Sequence, residues 1–298
     1  MVCSIAAAHE VPSRPALLGT HIAIYAADTA AAEHYYADVV GCERASDPEN
    51  PQGSRYYINR LQFIEVLPLA DRNSPNRLDH LAYQTSDADR LRLYLKSKGV
   101  EVPAAVQNAG DGSRWFDVTD PERNRVQFVQ PPKHPRSVSA PTLLGHHLMR
   151  VGMLVRDRQK EDAFYRTVLD FRPYWYGGLS ADKTDFVSQQ TPESHDYLEY
   201  ELVGRPGNTR AGVDLSQRQL GDLNHFSIGV VSIAKAYDLL KATNRLTPPE
   251  ATTRMARDGK WQLSVFDPDG TRLEYEEFSN VRAPCCSEFT APNPSPSE

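Results

Sequence analysis

The sequence predicts an α+β protein made of four tandem βαβββ modules arranged as two domains. Three observations carry this: an internal repeat, runs of short strands interrupted by single helices, and polar residues at matched places on those strands. The repeat comes first, because missing one spoils the reading of a fold. Leu17-Leu18-Gly19 recurs as Leu143-Leu144-Gly145. The runs HIAIYAAD (21–28) and RVGMLVRD (150–157) each end in an aspartate, and eight residues beyond stand Tyr36 and Tyr165. DHLAYQ (79–84) matches NHFSIG (224–229). Each half then has a turn, Asp111-Gly112 and Asp258-Gly259, and nine residues after those aspartates come Asp120 and Asp267. They open DPERNRVQF and DPDGTRLEY. Landmarks in one shared order make 17–131 and 143–280 two copies of one unit.

The elements follow in order within each copy. Residues 20–27 and 148–155 are apolar, β-branched runs of strand length. Segments 29–40 and 158–169 carry apolar residues at helical spacing, and Asp28 and Asp157 stand where a carboxylate caps free backbone N–H groups. Three strands are expected around 42–47, 55–59 and 61–67, and another over 79–85. A helix over 87–98 ends at Gly99, a natural C-cap. Strands near 101–107, 113–119 and 124–130 close the first copy. Antiparallel runs with one helix per module imply α+β rather than a doubly wound sheet, which needs strict βαβα alternation.

Segment 132–142, within the Pro/Ser-containing stretch PPKHPRSVSAPT, reads as a linker. Residues 1–16 and the Pro/Ser-rich tail 281–298 read as disordered. The net charge of −6 argues against nucleic-acid binding, which usually shows a basic patch. No apolar run approaches the roughly 18–20 residues that span a bilayer. Four cysteines (Cys3, Cys42, Cys285 and Cys286) are too few for a disulfide scaffold, and the start MVCSIAAAHE is a poor secretory signal, so a cytoplasmic setting is expected. The adjacent Cys285 and Cys286 suit surface thiols, a regulatory disulfide or a soft metal.

Polar residues recur on the strands. The first copy has His21, Glu65, His80 and Gln127; the second has Arg150, Glu199, His225 and Glu274. Each has an apolar residue on at least one side, and on a strand it faces the opposite side from its neighbours. His, carboxylate and amide oxygen are ligands for Fe, Zn, Ni, Co or Mn.

With its βαβββ modules, the segment FYRTVLDF and the motif DPDGTRLEY, the chain resembles the vicinal oxygen chelate superfamily over about residues 17–280. That superfamily includes glyoxalase I, extradiol dioxygenases and bleomycin-resistance proteins. The resemblance implies that each pair of modules curls into an open barrel around one divalent metal (Fe, Mn, Zn, Ni or Co), with ligands from the first and last strands of the modules. It makes His225 and Glu274 metal ligands, with Glu199 as a further one. His21, Glu65, His80 and Gln127 hold the same positions in the first copy. Because DPDGTRLEY is the more faithful motif, the second copy is preferred as the metal site. One departure opposes this: its opening-strand ligand is Arg150, and a guanidinium has no lone pair to give. Arg150 then reads as an anion clamp for substrate or as half of a buried salt bridge with Glu199 or Glu274.

The resemblance implies chelation of vicinal oxygens of a small oxygenated or aromatic molecule. An isomerase or lyase with Glu199, Glu274 or Glu65 as base is favoured. Extradiol cleavage is the alternative, but Ser264 and Asp117 stand where that motif has tyrosine, and no histidine lies between His225 and Glu274. Binding without catalysis is the third reading. For a substrate, the cluster Tyr174, Trp175 and Tyr176 before Gly177-Gly178 reads as a lid or rim, with Tyr174, Tyr176 and Trp261 as contacts. The partner is a small molecule, with neither nucleic acid nor membrane, and a homo-oligomer is compatible with the sequence.

Overall fold

The computed structural model describes residues 13–70, 77–203, 222–246 and 251–296. The first half runs β1 (Leu17–Ala26), α1 (Thr29–Glu33), a π-helical segment (His34–Val40), β2 (Glu43–Ser46), β3 (Ser54–Tyr57) and β4 (Phe63–Pro68). It continues with β5 (Leu78–Thr85), α2 (Ala88–Ser97), β6 (Gln107–Asn108), β7 (Arg114–Thr119) and β8 (Arg125–Gln130). The second half repeats this as β9 (Leu148–Val155), α3 (Arg158–Asp162), a π-helical segment (Ala163–Val168), β10 (Arg172–Gly177), β11 (Phe186–Gln190) and β12 (Tyr197–Leu202). Then come β13 (Leu223–Val230), α4 (Ile233–Ala242), β14 (Thr252–Met255), β15 (Trp261–Phe266) and β16 (Arg272–Glu277).

Each half is one eight-stranded sheet, ordered β2-β3-β4-β1-β5-β8-β7-β6 and β10-β11-β12-β9-β13-β16-β15-β14. The four modules are those read from the sequence. In each sheet the opening strands of two modules pair antiparallel at the centre, and each also pairs parallel with the closing strand of its own module. The copies match to the residue. Ala23 lies opposite both Glu65 and His80, and Gly152 lies opposite both Glu199 and His225. Ala82 faces Gln127 as Ser227 faces Glu274. Since side chains alternate faces, this shared register points the four matched residues of each copy to the same side of its sheet.

The expected caps are present: Asp28 accepts from the Ala30 and Ala31 amides, Asp157 accepts from Lys160, and Gly99 follows α2 with φ of 83°. Three expectations are corrected. The strand expected over 101–107 shrinks to Gln107–Asn108, since Pro103 has no ladder donor. The Tyr174-Trp175-Tyr176 cluster is no lid but part of β10, an edge strand where Pro173 is tolerated beside a register shift. The tail is not unstructured as far as residue 296. It lies along the free edge of β10, where the Cys286 and Ser287 amides donate to the Tyr176 carbonyl and the Thr290 amide donates to that of Tyr174. Phe289 packs on Tyr174 at 4.9 Å. A long open edge invites pairing with another chain, and the tail blunts it. Cys285 and Cys286 are disulfide-bonded to each other.

One continuous core runs through both halves, including Tyr36, Phe128, Tyr165 and Tyr275. The repeated landmarks turn out to be the clasp between the halves. Tyr36 donates to Asp267 of the second copy at 3.0 Å, and Tyr165 donates to Asp120 of the first at 3.3 Å. The neighbouring turns repeat the exchange: the Ala27 amide donates to Asp269 at 2.7 Å and the Asp157 amide to Glu122 at 2.6 Å. Each copy thus uses the other to pair its buried tyrosine and its DP-turn carboxylate.

Candidate functional site

In the first copy, His21 on β1, Glu65 on β4, His80 on β5 and Gln127 on β8 are all buried. Donor atoms of His21, Glu65 and His80 lie within 4.8 Å of one another, and His80 Nε2 is 3.8 Å from Glu65 Oε2. The unusual feature is what these atoms lack. Both ring nitrogens of His21, His80 Nε2, Glu65 Oε2 and Gln127 Oε1 have no hydrogen-bond partner among the described residues. A buried polar atom left unpaired costs about 1–3 kcal/mol, so a cluster of them is normally removed or satisfied. Imidazole nitrogens, a carboxylate oxygen and an amide oxygen are donors to a divalent cation, and a cation among them would take one nitrogen of His21, His80 Nε2, Glu65 Oε2 and Gln127 Oε1. The donor set therefore fits such an ion.

The surroundings hold that arrangement. Asp79 Oδ2 lies 2.7 Å from His80 Nδ1 and Arg125 Nη2 lies 3.0 Å from it; with the ring proton on Nδ1 donated to Asp79, the lone pair of Nε2 faces the centre. Asp79 also pairs with Arg125. Gln127 Nε2 donates to Glu49 at 3.0 Å, which turns its Oε1 inward. Burial, with His80 and Arg55 nearby, holds His21 well below the usual imidazole range, so it is neutral with a lone pair available. Burial pushes the Glu65 carboxyl up to about 8 against the pull of His80 and Arg55. Asp117, opposite Gln127 in register, is raised by burial to about 6, and its Oδ1 has no partner. Arg55 is gripped by Asp47 at 3.2 Å and Glu49 at 2.5 Å and lies over the Phe63 ring at 4.3 Å. His21 and Arg55 line a cavity of about 470 Å³, one wall of which is the linker from Pro131 to Arg136. Sequence reasoning passed over Arg55, Asp47 and Glu49. Arg55 was findable, because it lies opposite Glu65 on the next strand. Asp47 and Glu49 follow β2 in an irregular segment and gave no periodic signal.

In the second copy, Arg150, Glu199, His225 and Glu274 do come together, and the guanidinium stands among the would-be ligands. Arg150 Nη2 is 2.6 Å from both Glu274 and Glu276, and Nη1 is 3.5 Å from Glu199. Glu274 also accepts from Arg254 at 3.0 Å and from Ser264 at 3.2 Å. Burial would raise the Glu274 carboxyl, but Arg272, His225, Arg254 and Arg150 hold it well below the usual carboxylate range. Glu199 accepts from Ser188 at 2.9 Å. Glu199, Glu201 and His225 form a second close cluster of donor atoms. Unlike in the first cluster, the expected ligand Glu274 is engaged, by Arg150, Arg254 and Ser264.

Among the expected substrate contacts, Arg150 lines the cavity of this copy, about 240 Å³ in volume. Tyr174, Tyr176 and Trp261 do not. Tyr174 lies under the tail, bonded to Asn293, and it shares a separate depression with Tyr176. Trp261 is paired opposite Met255 and 37% exposed. Strand alternation explains the error: Tyr174 and Tyr176 share a face, and Trp175 between them is the one that lines the cavity.

A family model of the Glyoxalase/Bleomycin resistance protein/Dioxygenase superfamily matches residues 20–128. No curated protein sequence matches the chain. Among solved structures, a catechol 2,3-dioxygenase is similar at 17% identity and TM-score 0.64, covering 96% of this chain and 95% of that one. The 2,3-dioxygenase LapB from Pseudomonas sp. KL28 is similar at 14% identity and TM-score 0.66, with 96% of each chain covered. The Mn(II)-bound glyoxalase from Novosphingobium aromaticivorans is similar at 15% identity and TM-score 0.64, covering 89% of this chain and 82% of that one. At such identities the likeness is one of fold, and it extends over both halves. The family match thus covers the first half of the chain, and the second half repeats the same modules.

Proposed function

We propose that the chain is a metal-dependent enzyme whose centre lies in the first half, where His21, Glu65, His80 and Gln127 hold one divalent metal. The observation that carries this is that four buried side chains, His21, Glu65, His80 and Gln127, each have a donor atom without a partner among the described residues. It departs from the sequence expectation, which preferred the second copy on the strength of DPDGTRLEY. The bound metal supplies Lewis-acid polarisation to a small molecule bearing neighbouring oxygens. The chain's own groups do the rest. Asp117, with its carboxyl near 6 and Oδ1 unpaired, accepts and returns a proton close to neutral pH. Arg55, fixed by two carboxylates at the cavity wall, offsets negative charge that develops on the substrate. His21 stacks at 4.2 Å on Phe63, whose ring also lines the cavity, which gives a bound molecule an apolar surface.

This favours an isomerase or lyase. A second reading, ring-cleaving oxygenation, has one observation behind it: two histidines and one glutamate make a face suited to non-haem Fe(II). Gln127 as a fourth donor and Asp117 in place of a tyrosine favour the first. The test is metal analysis of the purified protein and its variants. The expected result is about one divalent ion per chain, lost in His21→Ala and His80→Ala and retained in His225→Ala. Retention in His21→Ala with loss in His225→Ala would move the centre to the second half.

A further inference from the structure

The second-half cavity is left without a function by this reading, and it has a distinct chemistry. Its walls are Trp175, Leu179, Phe186 and Met255, enough apolar surface for one ring. Its polar lining is rich in donors that have no acceptor. Arg272 is 1% exposed, and its Nε and Nη1 make no hydrogen bond. Trp175 Nε1, also buried, has no partner. At the mouth, Arg257 bonds only the Gly178 carbonyl at 2.8 Å and the Cys285 sulfur at 2.8 Å, and no carboxylate pairs with it among the described residues. Three guanidiniums, from Arg150, Arg254 and Arg272, already share the single carboxylate of Glu274. Glu199, Glu201, Asp258 and Glu274 line the same cavity and balance its arginines in number, yet the free N–H groups of Arg272 and Trp175, with Arg257 at the mouth lacking a carboxylate, suit acceptor oxygens carrying negative charge.

We propose that this cavity is a second, metal-free binding site for a small carboxylic acid with an apolar or aromatic body. The acid group meets Arg272 and Arg257, and the body lies against Trp175 and Phe186. Arg150 makes the site what it is. By filling the position that His21 holds in the first half, it replaces a metal's charge with a fixed guanidinium. The site stands independently of the proposed centre in the first half.

The probe is benzoate, with benzamide as its uncharged counterpart, in equilibrium dialysis against the full chain after chelator treatment. The expected result is saturable binding at one site, weaker for benzamide by about tenfold, as loss of a charge-assisted hydrogen bond predicts. Arg257→Gln, on an exposed residue, should weaken benzoate by about five- to tenfold with an unchanged circular dichroism spectrum. Arg272→Met should weaken it further if it folds, and Arg257→Gln decides the matter if it does not. His21→Ala should bind benzoate like the parent, which separates this site from the first-half centre. Absence of saturation, equal binding of benzamide, or indifference to Arg257→Gln would each overturn the proposal.

Discussion

The two halves share modules, register and strand order, yet they handle positive charge in opposite ways. In the first, an arginine on β3 (Arg55) is held at the side by Asp47 and Glu49, and the central donors are left facing one another. In the second, the β3 equivalent is Ser188, and the arginine has moved to the opening strand as Arg150, in the middle of the carboxylates. One duplicated scaffold thus presents a cluster of free donor atoms in one half and, in the other, an ion-pair network around Arg150 beside the unpaired His225 Nε2. A single cation a few ångströms to one side decides between the two.

The sharpest way to break this comparison is to remove the first cluster. His21→Ala should lower bound metal and activity to background, read by metal analysis and an activity assay; it also empties a buried ring site stacked on Phe63, so Tm should fall with it. Next in size is Arg150→Met. It should cost about 3–5 kcal/mol in urea unfolding, because the buried Glu276 and Glu274 would lose their closest cation and keep only the longer pairs to Lys260, Arg254 and Arg272. A variant as stable as the parent would mean that the network is not what holds the second half together. The clasp should give a smaller effect: Tyr36→Phe leaves Asp267 short of a donor and should cost about 1–3 kcal/mol, and Tyr165→Phe should do the same toward Asp120.

The mildest test concerns pH. Glu161 is fully buried, and burial, with Asp120 and Glu122 adding repulsion, raises its carboxyl to about 9. In the window between the unfolded value near 4.5 and about 9, the folded chain holds a proton that the unfolded chain has released. Stability from this group is complete below the window and is lost as pH rises through it. Glu161→Gln should therefore flatten the decline in urea midpoint between pH 6 and 9. An unchanged slope would assign the decline to other groups.

Much of the fold was legible because its signals are local. Period-two alternation, Asp28 and Asp157 before helices, and Gly99 after one are properties of neighbouring residues, and repetition multiplied them. The same repetition picked out the four matched positions in each site. What escaped were features that depend on sequence-distant partners. Pro173 and the aromatic cluster looked irregular until β10 proved to be an edge, and the Pro/Ser-rich tail looked disordered until it proved to cover that edge. Tyr36 and Asp267 were visible as landmarks, but their meeting across the halves was not.

The duplication, the modules and the face each polar residue takes follow from the order of residues, since strand geometry permits only two faces. Which of those residues have partners follows from the folded chain. Arg150 and Glu274 are 124 positions apart, and Arg55 reaches Glu49 across a turn that follows no period. Whether a buried donor is free or engaged depends on charges brought within a few ångströms by folding, where low dielectric makes each pairing count heavily.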